Sequence, residues 1–225
     1  PEPRALLRKT FLLGVAIVVP ILAVAWPGYV LGQRLGMPVL GAFLQAFPGA
    51  AVPEELFKFL VLVRYCTRQK AFDEPMDGIV YGVVASLGFA TLENVLYVAG
   101  GGLGVAILRA FTAVPQHALT GAIMGSFVGR AHFAGSPAER RKGLRTGLLA
   151  AILLHGLYDF PILVIQQYSS GEGGEDALGA GVVALAFAAL ALLAFEARWA
   201  RRLVHESMAD QDVAALRRAV PPSAM

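Results

Sequence analysis

Charge is scarce in this sequence and cysteine almost absent. Of 225 residues only 16% are Asp, Glu, Lys or Arg, against 56% hydrophobic, and the mean hydropathy is +0.62. That balance excludes a soluble domain of this size. The single Cys66 excludes an internal disulfide and is expected to be an inert, small apolar residue. No polar stretch is long enough for a soluble domain; the longest loop is "GRAHFAGSPAERRKGLRTG". There is no soluble repeat, no low-complexity tract and no HExxH helix, so an ordinary zincin is excluded. Ser86 and Ser126 lie in apolar runs with no histidine nearby in sequence, which weighs against a serine nucleophile. Nothing points to a nucleic-acid partner.

What remains is apolar runs. A spanning helix needs about 20 mainly apolar residues, and six candidates occur, near 10–31, 38–65, 78–99, 104–130, 144–168 and 177–199. The first has no clear small-residue cleavage site, so it is expected to be retained as a helix rather than removed as a signal peptide. The fold class expected is an all-α, polytopic transmembrane bundle embedded in a lipid bilayer. Basic residues cluster at Arg4, Arg8, Lys9; at Arg64, Arg68, Lys70; at Arg130, Arg140, Arg141, Lys142, Arg145; and at Arg198, Arg201, Arg202. Six spans put all four clusters on one side, while "SSGEGGEDA" falls on the other. The positive-inside rule then places both termini in the cytoplasm. Residues 1–202 are expected to form the transmembrane domain. Residues 203–225 form a cytoplasmic tail, either a short surface helix or loose chain. With no initiator Met at position 1, the chain is expected to be trimmed or processed. "GAIMGSFVG" repeats glycine at 121, 125 and 129, which suits close approach of another helix.

The second run contains "AVPEELFKFLVLV" (51–63). Pro48-Gly49 suits a helix end and Pro53 the first position of a new helix, so this span is expected to be broken near Pro48–Pro53. Glu54 and Glu55 then occupy a first turn, where unpaired N–H groups and the positive dipole end favour anions. Irregular backbone at membrane depth needs burial in protein or a wet cavity. Counting back from Arg64 at about 1.5 Å per residue puts Glu55 roughly 14 Å deep, near mid-bilayer. Glu54 and Lys58, four apart, are expected to pair, leaving Glu55 about 100° around the helix. An ion pair locking the bundle would account for one glutamate and leave the other over.

Three more runs carry polar residues at similar depth: Glu93 and Asn94 in "GFATLENVLYV", His117 in "AVPQHALTG", and His155 and Asp159 in "LLHGLYDFP". Each alone suits a packing role. Together they put acids and imidazoles from four spans at one level, and intramembrane ionisable groups are functional candidates. Two imidazoles with one or two carboxylates suit zinc, with a further carboxylate free to activate bound water. A proton- or cation-coupled carrier using the same groups is the alternative. His132 and His205 are expected to be solvated.

"EELFK" (Glu54, Glu55, Lys58), "FATLEN" (Phe89, Glu93, Asn94), "PQHALTG" (His117) and "HGLYDF" (His155, Asp159) occur in that order. With "AFDEPMDGIVYG" (71–82), they give residues 50–160 a resemblance to the PrsW family. That family belongs to the superfamily containing type II CAAX prenyl endopeptidases and bacteriocin-processing relatives. The superfamily often has His where this chain has Glu93, as PrsW-type proteins do. The resemblance implies a membrane endopeptidase acting on a membrane-anchored protein, anti-sigma-factor-like in one branch, or on a lipid-linked peptide. It implies Glu54 or Glu55 as water activator. Superfamily analogy favours Glu54, with Glu55 paired to Lys58; the helix-face reading favours Glu55. Glu93, His117, His155 and Asp159 are the expected ligands of zinc or another divalent ion. Asn94 either donates to the substrate oxyanion or packs as an amide.

Overall fold

The computed structural model describes residues 2–169 and 178–219. The expected outer loop at 170–177 and the end of the tail, 220–225, lie outside the described residues. Among the described residues the chain is helical, with no strand. Helices α1 (Arg4–Ala16) and α2 (Val18–Arg34) form one long rod, and α3 (Pro38–Ala46) follows a turn at Gly36. Then come α4 (Val52–Arg64), α5 (Pro75–Phe111), α6 (Ala113–His132), α7 (Pro137–Ser169) and α8 (Leu178–Ala219). Four stretches are long and apolar enough to cross a membrane: Arg4–Arg34, Pro75–His132, Pro137–Tyr168 and Gly181–Ala209. α8 runs on past Arg202 without a break.

The expected break near Pro48–Pro53 takes another form. Phe47–Ala51 is a π-helical turn, and the Val52 N–H donates to the Phe47 carbonyl, so the chain stays helical from α3 into α4. Proline lacks an N–H, and one widened turn absorbs that lack without freeing the next helix's first turn. Glu54 and Glu55 therefore depend on side-chain partners more than on an open helix end.

The expected span at 104–130 is also subdivided. Gly102, at φ 76° and ψ −176°, bends α5, and Thr112 separates the short segment 103–111 from α6. α5 and α6 pack antiparallel through glycine. A Cβ on Gly125 would strike the Gly78 carbonyl, and one on Gly82 the Gly121 carbonyl. This is the close approach expected of Gly121, Gly125 and Gly129. α1 lies along α5, and α7 lies against α3, α6 and α8.

The basic segments gather at one end of the bundle. Lys9 stands 4.9 Å over the Tyr65 ring, Phe72 packs on His132 at 5.1 Å between ring centres, and Arg130 meets Glu206 at 3.0 Å. His132, expected to be solvated, is half-buried between Phe72 and Phe133 because the α6–α7 turn folds back over Phe72. His205 is exposed.

Candidate active site

α4, α5, α6 and α7 each bring polar side chains to one buried spot. The α4 helix contributes Glu54, Glu55 and Lys58, all buried, with Glu55 and Lys58 at 0% exposure. Lys58 Nζ donates to Glu55 Oε1 at 2.8 Å and to Glu54 Oε2 at 3.4 Å, and lies 3.1 Å from His117 Nδ1. It also stands 4.2 Å over the Phe89 ring, which closes the cage on its remaining side. Both pairings raised from the sequence therefore occur: Lys58 meets Glu54, as the helix spacing predicts, and Glu55, as the family resemblance implies. The flexible lysine stem swings across the 100° between the two acids, and the closer contact is to Glu55.

His155, on α7, has its two ring nitrogens between acids. Nδ1 lies 2.8 Å from Glu55 Oε1, while Nε2 lies 3.2 Å from Asp159 Oδ2 and 3.8 Å from Glu54 Oε2. The Asp159 contact follows from the four-residue spacing on one helix face. His117, on α6, sets its ring edge-on to His155 at 5.0 Å between centres and places Nε2 2.9 Å from Glu93 Oε2. Glu93 in turn accepts from Arg109 Nη2 at 2.5 Å. Arg109 reaches back because the chain bends at Gly102, and its guanidinium lies 3.7 Å over the Tyr97 ring. Asn94 is half-buried beside Glu93, with its Oδ1 unpartnered among the described residues.

Donor atoms of Glu54, Glu55, His117 and His155 lie within 4.8 Å of one another. Glu93 and Asp159, expected in the same ligand set, instead contact the imidazoles of His117 and His155. The four-donor group fits a divalent cation on two observations. Glu54, Glu55 and His117 already converge on one ammonium nitrogen, and Glu55 Oε2 is buried with no partner among the described residues. Two imidazoles and two carboxylates are borderline-hard donors of the kind that hold zinc.

Access is one-sided. Side-chain exposure rises from 0% at Glu55 through 8% at Glu54 to 16% at Glu93 and 27% at Asp159. The mouth is therefore framed by Glu93, Asp159 and Arg109. Arg109 was not singled out from sequence, although it is the one Asp, Glu, Lys or Arg between Glu93 and Arg130, which is itself a signal. Glu196 was passed over in the same way. It is an acid in the last apolar run, and it is fully buried.

A protein-family model described as PrsW family intramembrane metalloprotease matches residues 2–194. Protease PrsW of Bacillus subtilis (strain 168) is 40% identical over 168 residues, 74% of this chain and 74% of that protein. Protease PrsW of Geobacillus kaustophilus (strain HTA426) is 41% identical over 167 residues, 74% of this chain and 71% of its own. That of Oceanobacillus iheyensis is 36% identical over 169 residues, 75% and 74% respectively. No solved structure matches.

Proposed function

Because the chain belongs to the PrsW family of intramembrane metalloproteases, we propose that it is an endopeptidase that cuts membrane-anchored proteins with water activated by Glu54. The observation that carries the choice of Glu54 is the unequal hold on the two acids. Glu55 is fixed by Lys58 and by His155, both at 2.8 Å. Glu54 is held by longer contacts and lies nearer the mouth. A base must release and retake a proton at a reacting water, so the loosely tied carboxylate suits that role and the clamped one suits positioning.

Glu55, His117 and His155 would hold zinc, leaving Glu54, the fourth of that group, free as the base. A bound zinc ion acidifies water and polarises a carbonyl. Glu93 and Asp159 orient His117 and His155 from their other ring nitrogens, as carboxylates commonly do for metal-bound imidazoles. Asn94, next to Glu93 on α5, would donate its amide N–H to the developing oxyanion.

Six crossings follow if α1–α2, α3–α4, the two legs of the α5–α6 hairpin, α7 and α8 each traverse the bilayer. The basic end then faces the cytoplasm with both termini, and the mouth at Glu93 and Asp159 opens toward the other side. A substrate cut there is a single-pass protein cleaved outside the membrane core, of the anti-sigma-factor-like kind that the family resemblance suggests. Named proteases aligned over 74% of the chain favour this reading over an ion carrier built on the same groups.

The test uses purified protein in liposomes with a membrane-anchored reporter. Wild type should release the reporter's soluble part, Glu54→Gln and His155→Ala should not, and elemental analysis should find zinc that His117→Ala lacks. Full turnover by Glu54→Gln and His155→Ala together would sink the assignment.

A further inference from the structure

The helices α6 and α8 run parallel in one register. Ala113 clusters with Ala189 and Arg130 pairs with Glu206 at the same offset, while the Phe127 ring reaches one turn off that register to Trp199, with ring centres 6.2 Å apart. Alternating steps of three and four residues carry the α6 stripe through Ala113, Gln116, Thr120 and Ile123. The facing α8 stripe runs Ala189, Leu192, Glu196 and Trp199 with the same steps. The register sets Glu196 level with Thr120, one turn from Gln116. On the third side stands α7, whose Tyr158 joins Ala113 and Ala189, and whose Leu154 joins Ile123 and Ala200. His155 lies between those two residues in sequence.

The seam is apolar above and below this level and polar at it. Gln116, Thr120 and Glu196 are all fully buried. Both carboxylate oxygens of Glu196 and both amide atoms of Gln116 lack a hydrogen-bond partner among the described residues. Buried polar atoms in such number are not left unsatisfied in a stable fold. Gln116 brings donors as well as acceptors, so a cation would meet its N–H groups badly, whereas water satisfies both kinds.

We infer that Gln116, Thr120 and Glu196 hold ordered water behind His155 and Glu55, and that the site draws on it for the water consumed in each cleavage. The second half of this inference rests on the protease reading; the water layer does not. Water entering past Glu93 and Asp159, the partly exposed residues of the mouth, would refill the layer between turnovers.

Hydroxyl-radical footprinting by X-ray radiolysis, which oxidises side chains beside bound water, tests the layer on full-length protein in liposomes. Leu154 and Tyr158, at 6% and 3% exposure, are the reporters, since bulk solvent scarcely reaches them. Wild type should be oxidised at both. Gln116→Leu/Glu196→Leu should lose that oxidation severalfold while unfolding at the same temperature or higher. Its kcat should fall about tenfold with KM unchanged, the effect of one lost water bridge in the transition state. Glu196→Gln, which still binds water, should keep both readouts near wild type. No oxidation of Leu154 and Tyr158 in wild type overturns the inference. Lost oxidation with unchanged kcat overturns the supply role. Oxidation in a wild type that cleaves nothing supports the layer and overturns the protease reading instead.

Discussion

Lys58 Nζ lies 2.8 Å from Glu55 Oε1 and 3.4 Å from Glu54 Oε2, with neither Lys58 nor Glu55 exposed at all. Removing one partner of a buried pair strands the other's charge. Lys58→Met should therefore destabilise the protein by about 3–5 kcal/mol, read from thermal unfolding in detergent. Adding Glu55→Gln to Lys58→Met should restore much of the loss, since the stranded charge is gone. A double variant no more stable than Lys58→Met would mean that Glu55 is not the acid Lys58 serves.

The two glutamates should part company when each is made an amide. Glu54→Gln should lower kcat by about 10²–10⁴-fold, the range for a lost general base, with little change in unfolding temperature. Glu55→Gln should lower stability as well, because its Oε1 answers both Lys58 and His155. The pair of melting curves, set against the pair of kcat values, checks the division of labour.

Arg109 and Gly102 should behave as one unit. Gly102 holds a φ of 76° with ψ −176°, a region that side chains avoid. Gly102→Ala should cost about 1–3 kcal/mol there and shift the segment that carries Arg109. Arg109→Gln removes the guanidinium that holds Glu93 against His117. Each variant alone should lower kcat, and the double variant should be scarcely worse than either. Additive losses in that cycle would show two separate effects.

Glycine tolerance should track contact. Gly125→Val puts a branched side chain into the Gly78 carbonyl and should abolish recovery of folded protein. Gly100→Ala, with nothing within 4 Å of the new methyl, should be neutral or stabilising by about 0.5–1 kcal/mol. Size-exclusion profiles of the two variants, side by side, are the check.

Burial pushes the Cys66 thiol up to about 11, with the Thr10 hydroxyl at 3.7 Å pulling slightly the other way. The thiolate is the reactive form, so raising its folded pKa withholds reactivity at neutral pH and restores it only as pH climbs towards 11. Maleimide at pH 7 should leave the folded protein unlabelled and label it fully once denatured. Labelling of the native protein at pH 7 would contradict this placement.

Much of the site was legible because lipid makes polar residues conspicuous. Glu54, Glu55, Glu93, His117, His155 and Asp159 stand out from apolar runs, and helical rise alone put them at one depth. The finer geometry was not. Counting helix faces treats Lys58 as a point on a cylinder, whereas its four-carbon stem let it settle between two acids. Pro48 and Gly49 signal a helix end at Phe47–Ala51, yet a π turn uses the same residues without stopping. Arg109 reaches Glu93 only through the bend at Gly102; the glycine run marks a bend but does not say where it sends Arg109. Gln116 and Glu196 acquire meaning only when α6 and α8 are laid in register.

The glycine contact between α5 and α6 has a mechanical consequence. Where two backbones touch, they tilt as one body when a bilayer thins or thickens, so the 2.9 Å reach from Glu93 to His117 is insensitive to lipid length. The widened turn before α4 has a brace of the same kind, Gly28 against the backbone of Pro48 and Gly49, but α4 itself has no glycine to bring a neighbouring backbone so close. Changes in membrane thickness would thus be felt first as a displacement of Glu54 and Glu55 against a fixed pair of partners, making the lipid itself a gauge of activity.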